Sequence, residues 1–168
     1  MRPLRLTLAA MGPFSGRVVV DFAALTSDLF LIHGATGSGK TTLLDAICFA
    51  LYGVVPGSRQ DRPFELRAAG APATLASQVE LDFSLGDRVY RVRRSPEQVR
   101  PKRRGDGVTR LASEAHLYEL EGTHETLVCE PKVQTVNTKL RSLIGLDVHQ
   151  FQQVLLLPQG KFLEFLLA

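Results

Sequence analysis

The sequence predicts an α/β fold, and three observations support that prediction. Alternating apolar and polar residues near the start and in the middle of the chain are typical of half-buried antiparallel strands. A short, wholly apolar run, residues 29–32, suits a central strand buried on both faces. A glycine-rich turn follows, and apolar residues then recur at helical spacing over residues 39–52. Together these predict a mixed sheet around that helix, with an antiparallel portion formed by residues 1–22 and 78–120.

The remaining elements follow from the same two periodicities. Strands are predicted over residues 4–8, 18–22, 79–85, 88–94, 115–120 and 154–157. Gly86-Asp87 is expected to turn one of these strands back into the next as a hairpin. Further helices are predicted over residues 131–145, in a short segment capped by Asp147, and over residues 161–168. All of these elements fit one domain, residues 1–168.

Composition limits the class of protein. With 45% hydrophobic and 22% charged residues, the chain can bury a core and is not disordered. The two cysteines, Cys48 and Cys129, lie far apart, which argues against a disulfide framework or a zinc site and fits a reducing cytoplasm. No apolar run approaches the roughly 18 residues that a spanning helix needs, so no membrane segment is expected. The first residues alternate like a strand and unlike a signal peptide.

The glycine turn matches the pattern G-x-x-x-x-G-K-[ST]. A loop that wraps phosphates must turn its N–H groups inward, and glycine permits the backbone angles and the close approach. The following helix points its unpaired N–H groups at the anion. Lys40 would neutralise the terminal phosphates, and the Thr41 hydroxyl would bind Mg²⁺. The predicted binding residues are Gly34, Ala35, Thr36, Gly37, Ser38, Gly39, Lys40, Thr41 and Thr42.

A chance match in a glycine-rich turn is the alternative. The apolar run before the turn and the amphipathic helix after it favour a nucleotide-binding loop, so ATP and Mg²⁺ are the expected ligands. Hydrolysis also needs a carboxylate at the end of an apolar strand. Glu80 and Asp82 alternate with the core face and are expected to point to solvent, and Asp21 precedes the loop. The chain is therefore expected to bind ATP and to hydrolyse it poorly by itself.

Three stretches resemble one family. LRLTLAAMGPFSG, LFLIHGATGSGKTTLLDAICFALYG and GLDVHQFQQVLLLPQGKFLEFLLA are similar to the amino-terminal lobe of the SbcC family, SMC-like ATPases of double-strand-break repair. The similarity covers both ends of the chain and is weaker over residues 56–126. The loop motif alone indicates a nucleotide binder. Its combination with LLDAICFALYG and LLLPQGKF is more specific.

The resemblance implies an ABC-type head that a long coiled coil divides into two lobes. The coiled coil and the carboxy-terminal lobe, with its signature and Walker B motifs, would lie outside this sequence. Gln159 would be the glutamine that meets Mg²⁺ or the attacking water, where the residues alone allow a turn glutamine that faces solvent. Many relatives have an arginine–serine pair after the first strand. Here only Ser15 is a candidate for that nucleotide contact.

The same resemblance implies partners and a setting. A carboxy-terminal lobe, a second head that docks on ATP binding and an SbcD-like nuclease would complete the assembly on double-stranded DNA ends, in the cytoplasm at the nucleoid. The ATPase would be nearly inactive in isolation. Two other interpretations stay open at this point. One is a lobe of a different ABC-type ATPase, such as a chromosome-condensation or transporter protein. The other is a DNA-binding module whose nucleotide loop is vestigial.

Basic residues cluster in the middle of the chain. Nine of the twenty lysines and arginines lie between residues 88 and 110, opposed there by Glu97 and Asp106. One interpretation is a solvated hairpin tip. The other is contact with the phosphates of duplex DNA, without base recognition. The candidate DNA-binding residues are Arg100, Lys102, Arg103 and Arg104.

Overall fold

Eight strands and three helices make up the described part of the chain. The structure is a computed structural model that describes residues 1–27, 30–55, 66–101 and 106–154. The strands are β1 (Arg2–Met11), β2 (Phe14–Asp21), β3 (Gln78–Leu85), β4 (Arg88–Ser95), β5 (Gln98–Pro101), β6 (Val108–Leu111), β7 (Glu114–Glu121) and β8 (His124–Leu127). The helices are α1 (Lys40–Tyr52), α2 (Val133–Ile144) and α3 (Val148–Val154). None of the described helices is long and apolar enough to cross a membrane.

Six strands form one antiparallel sheet in the order β2-β1-β3-β4-β7-β8. The register places Leu6 beside Leu81, Leu81 beside Val92, and Val92 beside Leu117, all fully buried. Because alternate residues share a face, this row is apolar across four strands and packs against α1 and α2. The predicted antiparallel portion is thereby confirmed. β5 and β6 form a separate two-stranded hairpin.

The opposite face of the sheet carries charged pairs. Arg91 binds both carboxylate oxygens of Asp82, at 2.6 and 2.7 Å, and Arg93 binds Glu80 at 2.7 Å. The acids do alternate away from the core, as predicted. Asp82 is nevertheless buried, with 8% of its surface exposed, because a cross-strand arginine covers it. The expectation that both acids point freely to solvent is therefore wrong for Asp82.

The helices begin and end close to the predicted positions. Gly53 ends α1 with a left-handed φ of 74°, and its N–H donates to the Phe49 carbonyl at 2.8 Å. Gly145 ends α2 in the same way. Asp147 caps α3 as predicted: its Oδ1 accepts from the Gln150 N–H, and Gln150 Oε1 accepts from the Asp147 N–H, both at 2.9 Å. Cys48 is fully buried in α1.

The central strand predicted for residues 29–32 does not form over residues 30–32, the part of it that the structure describes. Residues 30–34 have no regular structure, and Leu31 is 83% exposed. Within the described residues β2 lies at one margin of the sheet and pairs with β1 alone, and no strand is positioned to pair with residues 30–32. An apolar sequence cannot by itself satisfy the backbone groups of a strand, which need a neighbour. The sheet that the structure describes is accordingly antiparallel throughout, where a mixed sheet was expected.

Two further predictions fall wholly or partly outside the described residues. The strand predicted for residues 154–157 is wrong at Val154, which ends α3. Its remaining residues lie outside the described part of the chain. The helix predicted for residues 161–168 also lies outside it. Three strands were not predicted: β5, β6 and β8. Each has only four residues, which is too short for alternation to stand out.

Candidate phosphate-binding site

The glycine turn folds into a compact loop that opens α1. The Ser38 N–H donates to the Ala35 carbonyl at 3.2 Å, and the first helical bond runs from Leu43 N–H to Gly39 O at 3.1 Å. Gly39 has a left-handed φ of 96°, and a Cβ built there would lie 2.5 Å from Cζ of Phe14. A side chain is therefore excluded at Gly39 by both the backbone and the neighbouring ring. The loop and the β1–β2 turn are in direct contact at this point.

Lys40 folds back over the loop. Its Nζ donates to the carbonyls of Gly34 at 2.7 Å and Ala35 at 2.8 Å. An ammonium group has three donors, so these two bonds hold the charge at the loop and leave donor capacity toward an anion. The first residues of α1 add unpaired N–H groups and the positive end of the helix dipole. Positive potential is thus concentrated at the mouth of the loop.

A cavity of about 650 Å³ lies at this mouth. That volume falls within the range of small-molecule sites, about 300–1,000 Å³. The loop and α1 form one side, and the β1–β2 turn and a segment at residues 66–69 form the other. The lining residues are Met11, Gly12, Pro13, Thr36, Gly37, Gly39, Lys40, Thr41, Thr42, Asp45, Leu66, Arg67 and Ala69.

The β1–β2 turn is locked against α1. Gly12 has a φ of 55°, and a Cβ there would lie 2.7 Å from Cγ2 of Thr42. Its N–H donates to the Leu66 carbonyl at 2.9 Å, and Met11 forms a bridge with Arg67. Thr42 is consequently buried against the turn, with 9% of its surface exposed. The turn thus joins two walls of the cavity and fixes the distance between them.

Two parts of the cavity were missed in the sequence. The segment at residues 66–69 forms a wall, and the Arg67 guanidinium ties it down by donating to the carbonyls of Leu75 at 2.7 Å and Pro72 at 3.0 Å. Nothing in the local sequence marks this wall. Asp45, which was not among the predicted site residues, is buried, 6% exposed, and lines the cavity. Asp45 follows Thr41 by four residues, so both lie on one face of α1, and this spacing was the sequence signal for its place at the cavity.

The other predicted site residues are distributed as follows. Gly34 and Ala35 contribute the carbonyls that bind Lys40, and Ser38 adjoins Gly34. Ser15 is exposed in β2, where it adjoins Gly70, and it does not line the cavity. The backbone of Arg100 lies in β5. Gln159, Lys102, Arg103 and Arg104 lie outside the described residues.

Several members of the basic cluster bind other groups of the fold. Arg91 and Arg93 pair with acids on the outer face of the sheet, and Arg94 is buried. Arg110 pairs with Glu97 across the base of the hairpin. The concentration of basic residues in the sequence therefore overstates the charge that faces solvent.

The donor set at the cavity fits a magnesium–triphosphate. Backbone N–H groups, a lysine ammonium and the exposed hydroxyl of Thr41 are the groups that bind polyphosphate and its cation in loops of this pattern. No group of three or more His, Cys, Asp and Glu side chains that could hold a metal ion occurs in the described parts of the chain. Among the described residues that line the cavity, the carboxylate is that of Asp45 in α1.

Comparisons with known proteins agree with this geometry. A family profile described as an AAA domain matches residues 5–168. The chain is 44% identical over 169 residues to the SbcC subunit of the nuclease SbcCD from Vibrio cholerae, and 40% identical over 169 residues to the protein of the same name from Treponema pallidum. A Staphylococcus aureus protein of that name is 33% identical over 170 residues. Each alignment covers 100% of this chain and 16% of the relative, so the chain spans a small part of these proteins.

Proposed function

The chain belongs to the AAA domain family, and we propose that it is the ATP-binding lobe of an SbcC-like DNA-repair ATPase with an ABC-type head. The main support is the position of Lys40, whose ammonium lies on the loop carbonyls at the start of α1. The loop amides and Lys40 would hold the phosphates, and the Thr41 hydroxyl would hold Mg²⁺, with Thr42 close to the α-phosphate. The bound cation neutralises charge on the terminal phosphates.

Hydrolysis is proposed to need a second polypeptide segment. In the described residues the acids considered from the sequence are engaged elsewhere: Glu80 and Asp82 pair with arginines, and Asp21 accepts a hydrogen bond from the Ala24 N–H in a turn. Asp45 lines the cavity but lies in a helix, whereas the Walker B carboxylate follows an apolar strand. A carboxy-terminal lobe would supply the Walker B carboxylate, while Gln159 would contact Mg²⁺ or the attacking water. The exposed apolar residues Phe30 and Leu31 would pack against that lobe.

The relatives are named as subunits of a nuclease, which supports a nuclease partner. We propose that ATP binding brings two heads together and so gates an SbcD-like nuclease on double-stranded DNA ends, at the nucleoid. Two heads would sandwich the nucleotides, each loop facing the other head. The energy for closure would come from contacts made only in the ATP-bound state.

Duplex DNA is proposed to contact the β5–β6 hairpin. The sequence from residue 98 to residue 111 carries five basic residues and one acid. Such charge binds phosphates and releases counterions, so affinity falls steeply with salt. Neutralising Arg100, Lys102, Arg103 and Arg104 together to glutamine should weaken duplex binding and reduce the slope of log affinity against log salt by up to about 3–4. An unchanged slope in filter binding would overturn the hairpin's role.

The ATPase proposal is tested by complementation. The turnover of the chain alone is expected to be negligible. Adding the carboxy-terminal half of the protein, expressed separately, should raise the rate of ATP hydrolysis by orders of magnitude, since it supplies the missing carboxylate. The control is the same mixture with Lys40→Ala, which should remain inactive. Brisk hydrolysis by the unaided chain would contradict the division of labour between the two segments.

A further inference from the structure

An arginine is buried at the end of the helix that the nucleotide loop begins. Arg94, near the end of β4, is 2% exposed. Its Nε donates to the Ala50 carbonyl at 2.6 Å, and its Nη2 donates to the Leu51 carbonyl at 3.3 Å and to Asn137 Oδ1 at 2.6 Å. One guanidinium therefore joins the last turn of α1 to β4 and α2.

This arrangement is costly in electrostatic terms. Burial lowers the pKa of Arg94 from its ordinary value to about 10. The salt bridges of the described residues include none from Arg94 to a carboxylate. A buried charge is costly unless it is paired or hydrogen-bonded, and here carbonyl and amide oxygens are the partners. The hydrogen bonds of Arg94 have fixed directions, so they can hold α1 in one position, which apolar packing cannot do as well.

The bonds fix the position of α1 along its own axis. The last-turn carbonyls of a helix point along the axis, and a planar guanidinium holds them at a defined distance and angle. The contact is close on the other side as well, since a Cβ built on Gly53 would lie 3.1 Å from Nη1 of Arg94. α1 has 13 residues, which makes it about 20 Å long, and it is a stiff rod over that length. Its other end carries Lys40 and Thr41.

We propose that Arg94 is a positioning residue for the phosphate-binding loop, and that Asn137 orients it. The inference rests on the proposed nucleotide site. The β1–β2 turn holds α1 at its first turn through Gly12 and Thr42, and Arg94 holds it at its last. An axial shift of α1 by about 1 Å would displace the ammonium and hydroxyl by the same distance, and errors of that size cost up to about a hundredfold in function.

Arg94→Met and Arg91→Met form a matched test. Arg91 lies on the same strand, on the opposite face, and its hydrogen bonds go to Asp82 and Glu125 and none to α1. Both variants lose arginine bonds and should lose stability in urea. With a fluorescent ATP analogue and Mg²⁺, folded Arg94→Met should bind about tenfold or more weakly than wild type, while Arg91→Met should stay within about twofold. Equal affinity of the folded Arg94→Met chain would overturn the proposal.

Two further variants keep the proposal testable if Arg94→Met does not fold. Arg94→Lys keeps the charge but makes fewer fixed bonds, so its affinity should fall between those of wild type and Arg94→Met. Arg94→Ala should regain nucleotide affinity when millimolar methylguanidinium is added, and the Lys40→Ala chain should not. Absence of both the intermediate affinity and the rescue would contradict a positioning role. If wild type itself fails to bind the analogue, the nucleotide site fails, and the role of Arg94 fails with it.

Discussion

Single residues at the cavity are constrained by contact as well as by backbone angle. Gly12 and Gly86 allow the two constraints to be compared separately, because their φ values are nearly equal, 55° and 57°. A Cβ at Gly12 would overlap Thr42 at 2.7 Å, whereas a Cβ at Gly86 would meet nothing within 4 Å. Both positions disfavour an L side chain, by about 1–2 kcal/mol. Gly12 alone has the added cost of crowding at the site.

Gly12→Ala should therefore destabilise the chain more than Gly86→Ala. We expect about 1–2 kcal/mol for Gly86→Ala and about 1–3 kcal/mol more for Gly12→Ala, because the turn must move away from α1. Only Gly12→Ala should also weaken ATP binding. Urea denaturation and nucleotide titration of the two variants check this. Equal losses of stability with unchanged affinity in both would show that the turn does not position the loop.

At the scale of elements, α1 contacts both the sheet and the other two helices of the described fold. Its last residue, Tyr52, donates its hydroxyl to the Leu146 carbonyl at 3.1 Å, and its ring lies 5.1 Å from that of Phe151 in α3. Burial, with smaller contributions from Cys48 and Asp147, raises the pKa of Tyr52 to about 12. α3 is thereby attached to the same helix that begins at the glycine-rich loop.

The raised pKa gives this attachment a pH signature. Tyr52 ionises near 10 in the unfolded chain and near 12 in the folded chain, so its contribution to stability is present below pH 10 and is lost as pH rises toward 12. Tyr52→Phe should cost about 1 kcal/mol at pH 8 through the lost hydrogen bond. The difference between the two proteins should shrink above pH 10, in urea denaturation at each pH. A difference independent of pH would contradict the buried phenol.

Elements whose signals are local were predictable, and those that depend on a neighbour were not. The alternation in β3 and β4, the glycine at the end of α1 and the cap at Asp147 are each contained within a few residues. The run at residues 29–32 has the composition of a buried strand, yet its strand state depends on a partner strand that the described residues do not supply. The wall at residues 66–69 depends on contacts with β1 across more than fifty residues.

The site shows the same division. The motif located the loop at the mouth of the cavity, and phosphate binding there stays a prediction. It did not reveal that Arg91, Arg93 and Arg94 serve the sheet and α1, since charge in a sequence carries no information on which face it occupies until register is known. The position of Asp45, one helical turn after Thr41, was predictable from helix geometry, but Asp45 was not among the predicted site residues.

At the scale of the whole molecule, two observations favour an interface with a further polypeptide segment: exposed apolar residues beside the loop and the much greater length of the relatives. Phe30 is 45% and Leu31 is 83% exposed directly before the loop. Exposed apolar residues grouped beside a functional loop are typical of an interface. The relatives extend far beyond the 16% of their length that this chain matches. The proposed lobe, which would bind ATP and dock onto a second segment for hydrolysis, accounts for both features.

The most direct measurement is calorimetric titration of the chain with ATP, with and without Mg²⁺, for wild type and Lys40→Ala. Wild type should bind ATP more tightly when Mg²⁺ is present. Lys40→Ala should bind at least about tenfold more weakly, because the charge-assisted contact of the ammonium with phosphate is lost. Affinity that is indifferent to Mg²⁺, or equal affinities of the two proteins, would contradict the assignment of residues 34–42 as the phosphate-binding loop.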